Sequence, residues 1–175
     1  MTKTVFISGA TSGIGLVTAQ KLHQLGWKVY AGGLPFDDFS VLEYGITPLP
    51  FDISDAVDIE GAIKFMTIEL NQLDALVNCA GIQLPSPLEA LPVERLRHQF
   101  EVNVFGLQEL TNRLIPIFRG QGYGRIVNIS SVVGRLSLPF MGIYSASKFA
   151  LEAISDAQRV ELSPDSISVS LVEPG

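Results

Sequence analysis

Residues 4–15 read Thr4-Val5-Phe6-Ile7-Ser8-Gly9-Ala10-Thr11-Ser12-Gly13-Ile14-Gly15. A short apolar run enters a glycine-rich turn. A helical pattern follows from Ile14 to Leu25, with Ile14, Val17, Leu22 and Leu25 expected on one buried face. Strand, turn and helix in that order outline a phosphate cradle. Glycine removes the Cβ that would hold a pyrophosphate away from the backbone. The helix N-terminus adds free N–H groups and the positive end of its dipole. The spacing of Gly9, Gly13 and Gly15 is G-x-x-x-G-x-G, not the commoner G-x-G-x-x-G. Taken alone, the same residues also suit an ordinary turn between strand and helix.

The alternation continues along the chain. Gly26 ends the first helix, and strands are expected at 28–31, 46–52, 74–79, 125–130 and 166–172. Residues 34–45 suit a short, irregular connection. A helix is expected over 55–70, with Ser54 as its N-cap. Another starts near Pro92 and runs to about Phe118, bent near Gly106 or ended near Pro116. A last helix covers 144–162. Strands alternating with helices imply parallel pairing, and near-continuous apolar strands imply a sheet covered on both faces. The expected fold is α/β: a doubly wound (Rossmann-type) parallel sheet of six strands, in one domain over residues 1–175.

Composition narrows the function. The net charge of −6 and the lack of a Lys/Arg cluster argue against a nucleic-acid partner. Hydrophobic residues at 47% and charged residues at 17% describe a globular chain with a real core. No apolar run approaches a membrane span, and no signal peptide precedes Thr4. The lone Cys79 allows no intrachain disulfide, which fits a cytoplasmic location. Asn128-Ile129-Ser130 matches a glycosylation sequon but falls in an expected buried strand. The reading assigns no metal.

Tyr144 and Lys148 stand four apart at the start of the last helix, on one helix face. A phenol titrates near pH 10, and a neighbouring cation lowers that value toward the range useful to a general acid/base. An isolated pair of this kind is usually surface decoration. Its neighbours change the odds. Ser131 follows the fifth strand, where open α/β sheets bind ligands, and precedes Tyr144 by thirteen positions. Its hydroxyl can hold the substrate oxygen that Tyr144 protonates, with Ser130 as the adjacent candidate. Asn78-Cys79-Ala80-Gly81 ends the fourth strand with small residues that let a ribose come close. Asn103 is polar within an apolar helix, which suits a packing or kink role as well as a functional one.

Together these residues resemble the short-chain dehydrogenase/reductase family, single-domain type, over essentially the whole chain. The resemblance rests on the Gly9/Gly13/Gly15 cradle, Asp52, Asn78 to Gly81, Asn103, Ser131, Tyr144 with Lys148, and Pro174-Gly175. It implies an NAD- or NADP-dependent alcohol/carbonyl oxidoreductase. Tyr144 is then the general acid/base, and Lys148 lowers its pKa and holds the nicotinamide ribose. Ser131 orients the substrate, and Asn103 holds a water of a proton relay. The implied cofactor contacts also include Thr11, Ser12, Ile14, Leu34, Asp52, Ile53, Asn78, Ala80, Gly81, Pro174 and Gly175.

Tyr144 to Glu152, Glu173-Pro174-Gly175 and Val29 to Leu34 are similar to the branch holding 17β-hydroxysteroid and retinol dehydrogenases. That branch implies a lipophilic substrate. Ile82, Leu84, Leu136, Leu138, Pro139, Phe140 and Met141 either wall its pocket or pack the loops. Cofactor choice favours NAD, because Gly33 and Leu34 bring no phosphate-binding base and Asp37 and Asp38 would repel a 2′-phosphate if they fold close. Cys79 stands where the family usually has a second asparagine. Family members continue beyond the position of Gly175 into a seventh strand and a substrate-covering segment, so the reading expects a truncated chain. The alternative is a weakly active cofactor-binding relative serving as an interaction module. Sugar-nucleotide epimerases share the Tyr and Lys pair but favour another glycine spacing and a larger C-terminal domain. The family also implies a homodimer or homotetramer through the helices near 97–118 and 144–162.

Overall fold

The computed structural model describes residues 2–70 and 72–175. Six parallel strands form one sheet: β1 (Thr4–Ser8), β2 (Lys28–Gly33), β3 (Thr47–Pro50), β4 (Ala75–Asn78), β5 (Gly124–Ile129) and β6 (Ile167–Val172). Their spatial order is β3-β2-β1-β4-β5-β6. The chain therefore works outward from β1 to β3, then returns to place β4 on the other side of β1. That reversal opens a crevice between the carboxyl ends of β1 and β4, the place where such sheets bind ligands.

The helices are α1 (Gly13–Gln24), α2 (Ala56–Glu69), α3 (Val93–Phe100), α4 (Leu107–Gln121) and α5 (Gly142–Glu161). Side chains alternate across the sheet. Phe6, Tyr30, Leu76 and Ile126 join a core completed by Ile59 and Met66 of α2, Leu107, Leu110 and Leu114 of α4, and Leu151 of α5. Val5, Ile7, Val29, Ala31, Ala75 and Val77 face the other way, with Ala19 of α1. β1 and β4 are buried on both faces, which is why they read as unbroken apolar runs. β6 departs from that expectation. Ile167 and Val169 are buried while Ser168, Ser170 and Val172 are exposed, a period-two pattern with one covered face.

Several local expectations are corrected. The buried face of α1 is Gly15 and Ala19, whereas Ile14, Val17 and Leu25 are exposed. Close packing on the sheet needs small residues there, so size overrides hydrophobicity. Asp55, not Ser54, caps α2, accepting from Val57 N (2.7 Å) and Asp58 N (3.2 Å). Ser54 is already engaged, donating its N–H and Oγ–H to Asp52 Oδ1. The helix from Pro92 does not end at Pro116. A wide π-type turn, Glu101–Gly106, joins α3 to α4, and α4 runs through Pro116 to Gln121. Extra residues inserted into a helix this way often sit at functional positions, and Asn103 lies in this one.

Candidate active site

Two cavities of about 600 Å³ and 360 Å³ meet above the carboxyl ends of the strands. They share Gly9, Ser12, Ala80, Gly81 and Ile82, so they form one bent channel. Fifteen of the sixteen expected cofactor contacts line it. Gly13, Ile14, Gly15, Tyr144, Lys148, Pro174 and Gly175 border the larger arm. Thr11, Leu34, Asp52 and Ile53 border the smaller one, and Gly9, Ser12, Ala80 and Gly81 border both.

The cradle is built by close backbone approach. Gly9 has φ +67°, and a Cβ there would stand 2.7 Å from Ala80 Cα. A Cβ on Gly15 would collide with the carbonyl of Gly9. Ser8 locks the crossing, its Oγ accepting from Cys79 N and Ala80 N, both at 3.2 Å. Gly9→Ala combines strain with a clash against backbone. It should lower stability by about 2–4 kcal/mol, read as an earlier urea midpoint.

Asn78 is the sixteenth, and its side chain does not line the channel. Its side chain is buried beneath the channel, donating to Thr111 Oγ1 (2.9 Å) and Asn128 Oδ1 (2.8 Å). Asn128 lies opposite it in the β4–β5 register and donates in turn to Ser155 Oγ (2.8 Å). Asn78 therefore ties two strands to α4 and α5. Its location at a strand end suggested a ligand contact, but strand alternation turns its side chain inward.

Tyr144 is half-buried and Lys148 is 4% exposed. The Lys148 Nζ sits 5.7 Å from the centre of the Tyr144 ring and donates to the Ile129 carbonyl at 2.7 Å. Burial lowers the Lys148 pKa to about 8, opposed by the nearby Cys79 and Glu152. The expected lowering of the phenol pKa does not hold. Burial pushes Tyr144 up, against a smaller downward pull from the Ser131 hydroxyl. The Lys148 ammonium does not offset the phenol's desolvation.

Ser131 borders the larger arm and caps a short turn, accepting from Val133 N (3.3 Å) and facing the Pro174 carbonyl (3.4 Å). Asn103 lies beside the arm without lining it. It accepts from Ile82 N (2.8 Å) and donates to Ile82 O (2.9 Å) and Ser147 Oγ (3.0 Å). It thus clamps the segment after β4 to the second turn of α5. Of the apolar residues expected to wall a substrate pocket, Ile82, Leu138 and Met141 border the larger arm. Leu84, Leu136, Pro139 and Phe140 do not, and Leu136 and Phe140 point largely to solvent.

Two residues at the site carry roles beyond those the sequence suggested. Asp37 Oδ2 accepts from Leu34 N (2.8 Å) and Thr11 Oγ1 (2.6 Å), which folds this acid back to the end of β2. Its approach was legible only as a condition, because the turn that returns it has no strong motif. Glu152, buried in α5, had no signal beyond helical spacing from Lys148. Among the described residues, no group of three His, Cys, Asp or Glu side chains is placed to hold a metal.

The profile of the family described as "short chain dehydrogenase" matches residues 3–175. The chain belongs to the short-chain dehydrogenase family. It is 41% identical over 177 residues to the uncharacterized oxidoreductase YbbO of Escherichia coli, covering 100% of this chain and 66% of that one. It is 34% identical over 172 residues to the 3-ketodihydrosphingosine reductase of Bacteroides thetaiotaomicron, covering 98% and 62%. The crystal structure of a 3-ketoacyl-(acyl-carrier-protein) reductase from Brucella melitensis, complexed with NADH, superposes with a TM-score of 0.89 at 26% identity, covering 98% and 74%. This short-chain dehydrogenase thus spans just under two thirds of the curated relatives' length. No helix of its described residues is long and apolar enough to cross a membrane.

Proposed function

We propose that the protein is an NAD(P)-dependent oxidoreductase interconverting an alcohol and a carbonyl, with Tyr144 as its general acid/base. The observation that carries this reading is that Tyr144, Lys148 and Ser131 border one arm of a channel whose other arm suits an adenosine. The glycine cradle suits a pyrophosphate, because Gly9 and Gly15 let the loop pack directly on the backbone beneath it at the N-terminus of α1. A bound nicotinamide supplies or accepts the hydride.

The chain's own residues manage the proton. Because burial raises its pKa, Tyr144 is protonated at neutral pH and is ready to donate to a carbonyl oxygen. Ser131 holds that oxygen. Lys148, titrating near pH 8, binds the nicotinamide ribose and passes a proton toward the phenol. Asn103 Oδ1 accepts one hydrogen bond from protein and keeps a lone pair for the relay water. A lipophilic substrate fits the apolar surface of Ile82, Leu138 and Met141, and the similarity to a sphingoid-base reductase supports it. Exposed Phe105, Phe149 and Val160 on and beside α4 and α5 suit association into a dimer or tetramer. The free thiol of Cys79 suits a cytoplasmic location.

A panel of steroid, retinoid and long-chain ketones with NADH and NADPH tests the reading. Turnover of at least one ketone is expected, and failure to bind either cofactor contradicts it. Asp37 favours NADH in that panel. Its Oδ2 is held by Leu34 and Thr11, which leaves Oδ1 for ribose hydroxyls and sets a negative charge against a 2′-phosphate. Asp37→Asn should narrow the NADH-over-NADPH preference in kcat/KM by about tenfold or more. An unchanged ratio would place the discrimination elsewhere.

A further inference from the structure

Glu152 follows Lys148 by one helical turn, as Lys148 follows Tyr144, so the three side chains share one stripe of α5. Glu152 is 4% exposed, and neither carboxylate oxygen has an aligned hydrogen-bond donor among the described residues. Its one cation at contact distance is Arg135, whose Nη2 stands 2.8 Å from Oε2. The same Arg135 pairs with Glu173 Oε1 at 3.0 Å. Arg135 belongs to the loop between Ser131 and Tyr144, and Glu173 precedes Pro174-Gly175. Space at the carboxylate is tight: a Cβ on Gly134 would stand 3.1 Å from Glu152 Cγ and 2.8 Å from Ser130 Oγ, itself buried without a partner.

A buried carboxylate held by a single misaligned arginine is a poor stabiliser in itself. Its placement one turn from the buried ammonium gives it a different use. We propose that Glu152 is a positioning residue for the Tyr144–Lys148 pair: clamped by Arg135, its buried carboxylate keeps Lys148 charged and ties the 131–141 loop and the end of β6 to α5. This rests on the proposed role of Lys148 toward the nicotinamide ribose. The charged and titratable groups around Lys148 are Cys79 at the end of β4, and Tyr144 and Glu152 on α5. The Ile129 carbonyl of β5 completes that set. Around the Glu152–Arg135 pair stand Glu173, just after β6, and Asp156 from α5. Glu152 acts on Lys148 in the direction that keeps its proton. Arg135, half-exposed on the far side, partly cancels that action.

Removing either partner therefore shifts Lys148 in opposite directions, which a structural role cannot do. The test is NADH binding by the whole protein, followed by nicotinamide fluorescence between about pH 6 and 10. In the wild-type protein, affinity should fall with a midpoint near pH 8 as Lys148 loses its proton. Glu152→Gln should lower that midpoint by roughly one pH unit, and Arg135→Met should raise it by a few tenths of a unit or more. Glu152→Asp should restore much of the wild-type value. Should Glu152→Gln not fold, the upward shift in Arg135→Met still decides. Two midpoints that move together, or stay fixed, overturn the proposal. Because binding and not turnover is read, loss of the proton-transfer reading through an active Tyr144→Phe would leave this result separately legible.

Discussion

Lys148→Met will inactivate the protein while stabilising its cofactor-free form. Lys148 is almost fully buried, and its pKa falls from the ordinary 10.5 to about 8 on folding. The unfolded chain thus binds the proton more tightly than the folded one. Below about pH 8 both states are protonated, and the full burden of about 3 kcal/mol weighs on the fold. As pH rises from about 8 to 10.5 the folded lysine is neutral first, so stability recovers across that window. Methionine has similar reach and no charge to desolvate. Against the gain, the Ile129 carbonyl loses its donor, at about 1 kcal/mol. The net expectation is a gain of about 1–2 kcal/mol at pH 7, shrinking toward pH 10, from urea denaturation at both pH values. Turnover should fall about 10²–10⁴-fold. A mutant less stable than wild type at pH 7 would show that the lysine's contacts outweigh its burial.

Tyr144→Phe will remove turnover by a comparable factor and leave the fold and cofactor affinity nearly intact. Only a hydroxyl is lost, one that approaches the Ser131 hydroxyl. The ring that faces the Lys148 ammonium stays. A general acid in line with the reacting oxygen contributes about 10²–10⁴-fold. Loss of a single hydroxyl on a half-buried ring should change stability by about 1 kcal/mol or less. The raised phenol pKa also sets a direction with pH. Carbonyl reduction needs the protonated phenol, so kcat/KM for reduction should decline on the alkaline side as Lys148 and then Tyr144 lose their protons.

The sheet was legible because its strands are local signals. Apolar runs such as Val5-Phe6-Ile7 and Ala75-Leu76-Val77 announce buried parallel strands without any knowledge of their partners. Tyr144, Lys148, Ser131 and the glycine cradle were legible through spacing. What spacing does not carry is the destination of a side chain. Asn78 and Asn103 look alike as polar residues near the channel, yet one is locked below the sheet and the other clamps Ile82. The sign of the phenol shift was missed for the same reason. Helical spacing brought Lys148 near the Tyr144 ring but could not show that burial of the phenol outweighs its polar neighbours. Asp37 and Glu152 depend on a loop's return path and on burial, which a linear pattern does not encode. The exposed face of α1 shows the converse, where Gly15 and Ala19 displace larger apolar residues from the interface.

In the proposed reaction the Tyr144 hydroxyl transfers the proton. That step is read from kcat/KM for one ketone that the wild-type protein reduces, measured in wild type and Tyr144→Phe, with NADH affinity on the same samples. The expected result is a fall of at least about 100-fold in kcat/KM, with NADH affinity changed less than about threefold. Equal kcat/KM in the two proteins would contradict it.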